Sequence, residues 1–398
     1  MMRAPWIAAG LVVLGGAACA PEADPPAAPQ LARSDCRLLD AAAVALGGLP
    51  TYRETAQLGL DPETWFENPA GVTVSGDRVF LYDAGRTVLF EFTDDLQPLR
   101  TFGRDGDGPG EFRRVSAAIA YDGGRRKWVT TEGDRMVVFD GFRAQELDLS
   151  GDSIAFSRQV PSAAFPRGMD VRSSRLALTS DGDLLYGWGG HNVLLHSQMP
   201  EGQIVYDVRR VTATGSVASV SRVDMQRSPR FRNAPYTGRD EARPVWDAKA
   251  GCVVASDGHH PWVVVTGRPG APNALDTLHF SLGDGAAPSG SRGEDELVGV
   301  PGADLPAPTR LSRVRDLIID PGGTIWIRPH ARTDSPADGV EVILVPLGSS
   351  PSSAVVGPVV VDTVPAFPSA FGTTRNVYYA TQSDSLGRRL LMRYESGG

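Results

Sequence analysis

Short apolar, β-branched runs separated by polar turns recur along the chain, and long stretches at helical spacing do not. The clearest unit is Val79-Phe80-Leu81-Tyr82, the break Asp83-Ala84-Gly85-Arg86, then Thr87-Val88-Leu89-Phe90. A second copy places Glu132-Gly133-Asp134-Arg135 between the runs 128–131 and 136–139. Further copies pair 184–186 with 193–195, 252–255 with 262–265, 325–327 with 340–345, and 377–380 with 390–392. An apolar run such as 71–74 precedes each copy, and a fourth run such as 97–102 follows most of them. Four short antiparallel strands per unit, repeated so that neighbouring units bury each other's faces, predict an all-β, six-bladed β-propeller with four-stranded antiparallel blades. The sixth copy stops at its third strand, so residues 52–60 are expected to supply the missing outer strand. Residues 150–172, 212–244 and 283–311 read as long loops between blades.

The N-terminus has a different pattern. Met1-Met2-Arg3 is followed by an apolar run, 6–16, too short to span a bilayer, then by small residues and Cys19. This layout predicts a signal peptide at 1–18, a lipidated Cys19 with a Pro/Ala-rich tether at 19–50, and the propeller at 51–398. The chain would be exported and held at the outer membrane through its lipid alone. The alternative is cleavage within Ala18-Cys19-Ala20, which gives a secreted or periplasmic protein. Cys36 and Cys252 remain, as a disulfide or as two unpaired thiols.

The segment Gly103-Arg104-Asp105-Gly106-Asp107-Gly108-Pro109-Gly110-Glu111-Phe112, taken with the 79–92 run, resembles the linker of NHL-type repeats. The whole chain resembles exported six-bladed propeller proteins of bacteria that carry this G-x-G-P-G-E-F linker. Most of that group have no assigned activity, so the resemblance implies a fold more than a reaction. In this linker the glycines permit positive φ, Pro109 fixes a turn, and Glu111 is placed to accept backbone hydrogen bonds.

The formal net charge is -8, and no basic stripe argues for a nucleic-acid partner. Arg supplies nearly all basic charge, with Lys127 and Lys249 the only lysines. No nucleophile elbow, P-loop, H-E-x-x-H or C-x-x-C motif occurs. Asp83, Glu132, Asp257 and His330 follow the second strand of their copies, a position that turn chemistry explains. His259-His260 reads as solvated surface. Trp128, Trp188, Trp262 and Trp326 read as inter-blade core.

Two functions remain. The first is a non-catalytic binding or scaffold module for a protein, peptide or glycan, needing no cofactor. Its ligand contacts would be Arg230, Phe231, Arg232 and Tyr236, in an Arg-rich segment within an acidic chain. The second is a cation-dependent hydrolase or lyase in the manner of calcium-dependent lactone hydrolases. There Glu67, in Glu67-Asn68-Pro69, with Asp83 and Asp257 would hold calcium in the central channel.

Overall fold

The computed structural model describes residues 49–60, 65–114, 128–140, 143–160, 176–179, 181–189, 203–226, 245–249, 252–256, 262–266, 276–279, 314–329, 339–346 and 360–397. All fall within the unit Leu31–Gly398. The proposed signal peptide, Cys19 and the tether up to residue 48 lie outside the described residues.

Strand β1, Tyr52–Leu58, opens the described chain. The first complete sheet is β2 (Pro69–Ser75), β3 (Arg78–Asp83), β4 (Val88–Thr93) and β5 (Pro98–Phe102). Next come β6 (Trp128–Glu132), β7 (Arg135–Phe139), β8 (Ala144–Asp148) and β9 (Ala155–Gln159). The following sheet holds β10 (Leu176–Leu178), β11 (Leu184–Gly189), β12 (Gln203–Val211) and β13 (Val217–Gln226). After it come β14 (Val245–Lys249), β15 (Cys252–Ser256), β16 (Trp262–Thr266) and β17 (Asp276–His279). Then follow β18 (Val314–Ile319), β19 (Thr324–Pro329), β20 (Val340–Pro346) and β21 (Val360–Val364). The last sheet has β22 (Ala370–Phe371), β23 (Val377–Ser383), β24 (Arg389–Ser396) and, at its outer edge, β1. Every pairing is antiparallel, and within sheets strands neighbour in chain order apart from β1. This is a β-propeller with four-stranded antiparallel blades.

Each sheet buries its faces against its chain neighbours. Phe80 and Tyr82 of β3 pack with Val129, Met136 and Val138 of the next sheet. Val137 and Phe139 pack with Leu176, Leu184 and Tyr186. Leu185 and Val208 meet Trp246 and Val253, and Val254 and Val263 meet Leu317 and Ile325. Trp326 and Leu344 meet Tyr378 and Met392. Finally, Tyr379 and Leu391 pack on Val72, Val79 and Leu81 of the first sheet. Close approaches between β2 and β6, β6 and β10, β10 and β14, β14 and β18, and β22 and β2 mark the inner strands.

Ring closure follows the expectation for residues 52–60. Strand β1 pairs with β24 from Tyr52↔Ser396 to Leu58↔Leu391, with one irregularity between Glu54 and Ala56. Tyr52 sits edge-on to Tyr378, centroids 4.9 Å apart, and its hydroxyl donates to the Arg375 carbonyl at 2.8 Å.

Charged side chains also join neighbouring sheets. Glu91, 1% exposed, sits between Arg78 and Arg100, and these arginines donate onward to the carbonyls of Leu149 and Asp152. In the next sheet Glu146 sits between Arg135 and Arg158, which reach the carbonyls of Gly182 and Ala213.

Four readings need correction, the first being the third repeat copy, where β11 pairs with β12 at Gln203–Val211 and not with 193–195. The loop expected at 150–172 contains β9, and the loop expected at 212–244 contains β13, which pairs with β12 along its length. In β9 exposed and half-buried positions alternate, as on an outer strand with one solvated face, and both runs are too polar for their apolar pattern to announce a strand. The second repeat copy was also one strand out of phase. Residues 128–131 belong to the inner strand β6, so Glu132 ends an inner strand rather than a second one. Of the tryptophans assigned to the core, Trp326 is fully buried, and Trp128 is partly buried against the cluster holding Leu176, Leu184 and Tyr186 of β10 and β11. The side chains of Trp188 and Trp262 lie outside the described residues.

The closing sheet has a pH consequence. Burial pushes the phenols of Tyr52, Tyr379 and Tyr394 up to about 12, and drives those of Tyr378 and Tyr82 further up. In the unfolded chain these groups ionise near pH 10. Their folded-state pKa is raised, so their contribution is complete below pH 10 and is lost as pH rises through about 12. Four of the five lie on β1, β23 and β24. Base titration should therefore show phenolate absorbance rising together with loss of near-UV circular dichroism above pH 10. Ionisation near pH 10 with tertiary structure intact would contradict this.

Candidate functional site at the loop-bearing end of the sheets

Antiparallel order decides which connections share an end. Connections from an outer strand to the next inner strand, and from a second to a third strand, lie at one end of the sheets. Residues 103–127, 160–175, 227–244 and 280–313 are of the first kind, and 190–202 and 330–338 of the second. The opposite end holds short inner-to-second turns, Gly76-Asp77 and Gly133-Asp134 among them, with 347–359 as a longer connection. Most of the longer connections thus leave and re-enter strands at one end. Function on a propeller tends to sit on loops held by a rigid scaffold.

Two aspartates organise this end. Asp83 closes β3 and is fully buried. Its Oδ2 accepts the Glu67 N–H at 2.7 Å, and its Oδ1 accepts the N–H groups of Asn68 and Gly85, each at 2.9 Å, and of Arg86 at 3.3 Å. The carboxylate thereby ties the segment entering β2 to the β3–β4 turn. That turn holds Thr87 at φ 57°, a left-handed conformation costly for a β-branched residue. Asp140, after β7, repeats the device: it accepts from Arg113 N–H at 3.0 Å and Arg143 N–H at 2.9 Å. The counterpart of Asp83 is therefore Asp140, not Glu132.

The linker between the first two sheets is built around Arg143, which is 8% exposed. Its guanidinium donates to Asp140 and to the carbonyls of Gly106, Asp107, Gly108 and Glu111. Glu111 accepts from Gly108 N–H at 2.7 Å, as its position in the linker suggests, and pairs with Arg104 at 2.6 Å. The Gly108 N–H and then the Arg104 guanidinium hold its carboxyl below the usual range. Gly103, at φ 90°, admits the Phe112 ring where a Cβ would stand 2.3 Å from it, and Phe112 packs edge-on against Tyr82.

The surface beside these clamps is mixed. Trp65 is 48% exposed, and Arg86 donates to its carbonyl at 3.2 Å. The Arg114 guanidinium donates to Gly85 O at 3.1 Å and lies 3.5 Å from Glu67, whose side chain covers Gly85 so closely that a Cβ there would be 2.6 Å away. An exposed indole beside planar guanidinium groups suits carboxylates, phosphates and flat apolar groups. Glu67 and Asp83 share this end, but Asp83 presents its oxygens to backbone N–H groups while Glu67 faces Arg114. Among the described residues no group of three or more His, Cys, Asp or Glu side chains gathers as a metal ion would need. Asp257, Arg230, Phe231, Arg232 and Tyr236 lie outside the described residues, as do His259, His260 and His330. Sequence reasoning missed Asp140, Arg143, Trp65, Arg86 and Arg114. The spacing of Asp140 and Arg143 about a tight turn was the one available signal.

The fold is a β-propeller in which most of the longer connections leave and re-enter strands at one end. No protein-family model and no curated protein matches the chain. Solved structures do resemble it. One, a Bacteroides fragilis protein taken to be exported, is 11% identical, with a TM-score of 0.46 over 88% of this chain and 95% of that one. A calcium-binding regucalcin from Agrobacterium tumefaciens is 11% identical, TM-score 0.40, over 88% and 98%. A gluconolactonase from Xanthomonas campestris is 13% identical, TM-score 0.39, over 87% and 95%.

Proposed function

We propose that the protein is a six-bladed propeller, exported and anchored by lipid at Cys19, that acts as a non-catalytic binding or scaffold module. Its ligand is a peptide, protein or glycan bearing acidic groups, held at the loop-bearing end. The observation carrying this reading is that the strand ends bounding most of the longer connections share that end with exposed Trp65 and Arg114 and half-buried Arg86. The segment 227–244, with Arg230, Phe231, Arg232 and Tyr236, joins strands at the same end. A ring of six is supported by the six four-stranded pairings among the described strands and by the packing of the last sheet on the first. Export is supported by Cys252, which is disulfide-bonded, since such bonds persist in oxidising compartments. Binding is preferred to calcium-dependent hydrolysis because Asp83 already accepts four backbone N–H groups.

The test is capture from a membrane envelope extract by the immobilised chain. Arg230→Ala with Arg232→Ala should reduce capture at least about tenfold, equivalent to losing one charge-assisted contact, and leave the melting temperature unchanged. Undiminished capture, or a large loss of stability, would overturn the assignment of these arginines.

A further inference from the structure

The described chain enters the ring at the end opposite most of the longer connections. Leu49 N–H donates to Asp362 Oδ2 of outer strand β21 at 2.8 Å. Gly397 N–H donates to the Thr51 carbonyl at 3.3 Å, and Tyr52 pairs with Ser396 where β24 ends. Cys252 stands at the same end. It opens β15 and pairs with Lys249 across the turn from inner strand β14. Cys252 is 2% exposed, and its sulfur is in a disulfide. The sheet holding Cys252 and the sheet holding Asp362 are neighbours, joined by the contacts of Val254 and Val263 with Leu317 and Ile325. The leading segment therefore arrives on one sheet, and the buried disulfide sulfur lies on the sheet beside it.

The sequence offers two other sulfurs, Cys19 and Cys36. We propose that Cys36 is the partner of Cys252, and that this bond is a second covalent attachment between the ring and the segment carrying the anchor. The choice of Cys36 over Cys19 rests on the lipid proposed at Cys19, since a lipidated sulfur is a thioether with no thiol to oxidise. Chain length supports the same choice. Cys36 stands 13 positions before Leu49, and such a length spans up to about 45 Å, against about 10 Å between packed sheets. Cys19 stands 30 positions before Leu49, and the longer loop costs more entropy to close. On forming the bond, the two thiols give up two protons and two electrons to a disulfide oxidant of the exported compartment, which is reduced to its dithiol. The ring is then held at two points, through the peptide chain at Leu49 and through Cys252. A cut between Cys36 and Leu49 leaves it joined to the segment that carries Cys19. Termini and linkers are where proteolysis concentrates, so the bond guards the ring against being shed.

The test inserts a site for a sequence-specific protease between Ala43 and Val44 of the full chain, held on phospholipid vesicles through its lipid. After cleavage the parent ring should stay with the vesicles and leave them only when a reductant is added. Cys36→Ser should lose its ring on cleavage alone. Equal behaviour of the two chains, whether both stay or both leave, would overturn the proposal. Peptide mapping of the unreduced, thiol-blocked chain reads the bond directly. Trypsin should yield residues 34–37 linked to residues 250–292. Cys252 linked to Cys19, or to a second copy of the chain, would overturn the proposal. The map also separates this inference from the lipid reading. A chain that never binds vesicles, yet yields the 34–37 and 250–292 pair, loses the lipid and keeps the disulfide.

Discussion

Removing residues 52–58 should leave a protein that melts on the order of 5–10 °C lower than the parent and self-associates. The reason lies in what β1 supplies. It is the outer strand of the sheet whose other three strands end the chain, and it pairs with β24 from Tyr52↔Ser396 to Leu58↔Leu391. Tyr52 contributes most. It is buried among Trp326, Tyr378, Phe371 and Tyr394, with edge-on ring contacts to the first two at 6.1 and 4.9 Å. Truncating a buried aromatic to Ala costs about 3–5 kcal/mol by itself. Without β1, the N–H and C=O groups along β24 also become an open edge on which a second chain can pair. Tyr52→Phe separates the two contributions. It keeps the rings and loses only the bond to the Arg375 carbonyl, about 1 kcal/mol. A truncated chain that stays monomeric in sedimentation and melts with the parent would show that the ring closes without β1.

Arg143→Met should be the most damaging single substitution at the first linker, costing about 3–5 kcal/mol. The guanidinium is nearly enclosed and donates to one carboxylate and four carbonyls, so its loss removes the charged partner of buried Asp140 and opens the loop 106–111. Met preserves much of the side-chain volume, so the loss measures polar bonding rather than a cavity. Arg104→Ala is the comparison. Arg104 is 80% exposed by side chain and pairs with Glu111 at the surface, where solvent screens the contact and its loss costs little. Chemical denaturation should separate the variants by several kcal/mol, and amide exchange at Gly106, Gly108 and Phe112 should accelerate in Arg143→Met alone. Equal effects would show that the linker holds its shape without the buried guanidinium.

The strands were legible because two-residue alternation and short turn signals depend only on local sequence. Closure was legible too, because a copy lacking its fourth strand leaves an edge that a segment elsewhere must fill. Phase was harder to read. Glu132-Gly133-Asp134-Arg135 and Asp83-Ala84-Gly85-Arg86 share turn chemistry, although one turn joins an inner to a second strand and the other a second to a third. Only pairing over distance distinguishes them, and it places them at opposite ends. The same reason hid the linker's anchor. The G-x-G-P-G-E-F run announces a turn, whereas Arg143, which fills it, arrives from the far side of β6 and β7.

Hydrogen exchange on the captured complex tests the binding face most directly. Slowed exchange on ligand capture should fall on amides at the loop-bearing end, at Trp65 to Asn68, Gly85 to Thr87, Arg113 and Arg114. The turns Gly76-Asp77, Gly133-Asp134 and Gly322-Gly323 at the opposite end should exchange as in the free protein. Protection confined to those turns, or spread equally over both ends, would contradict the account.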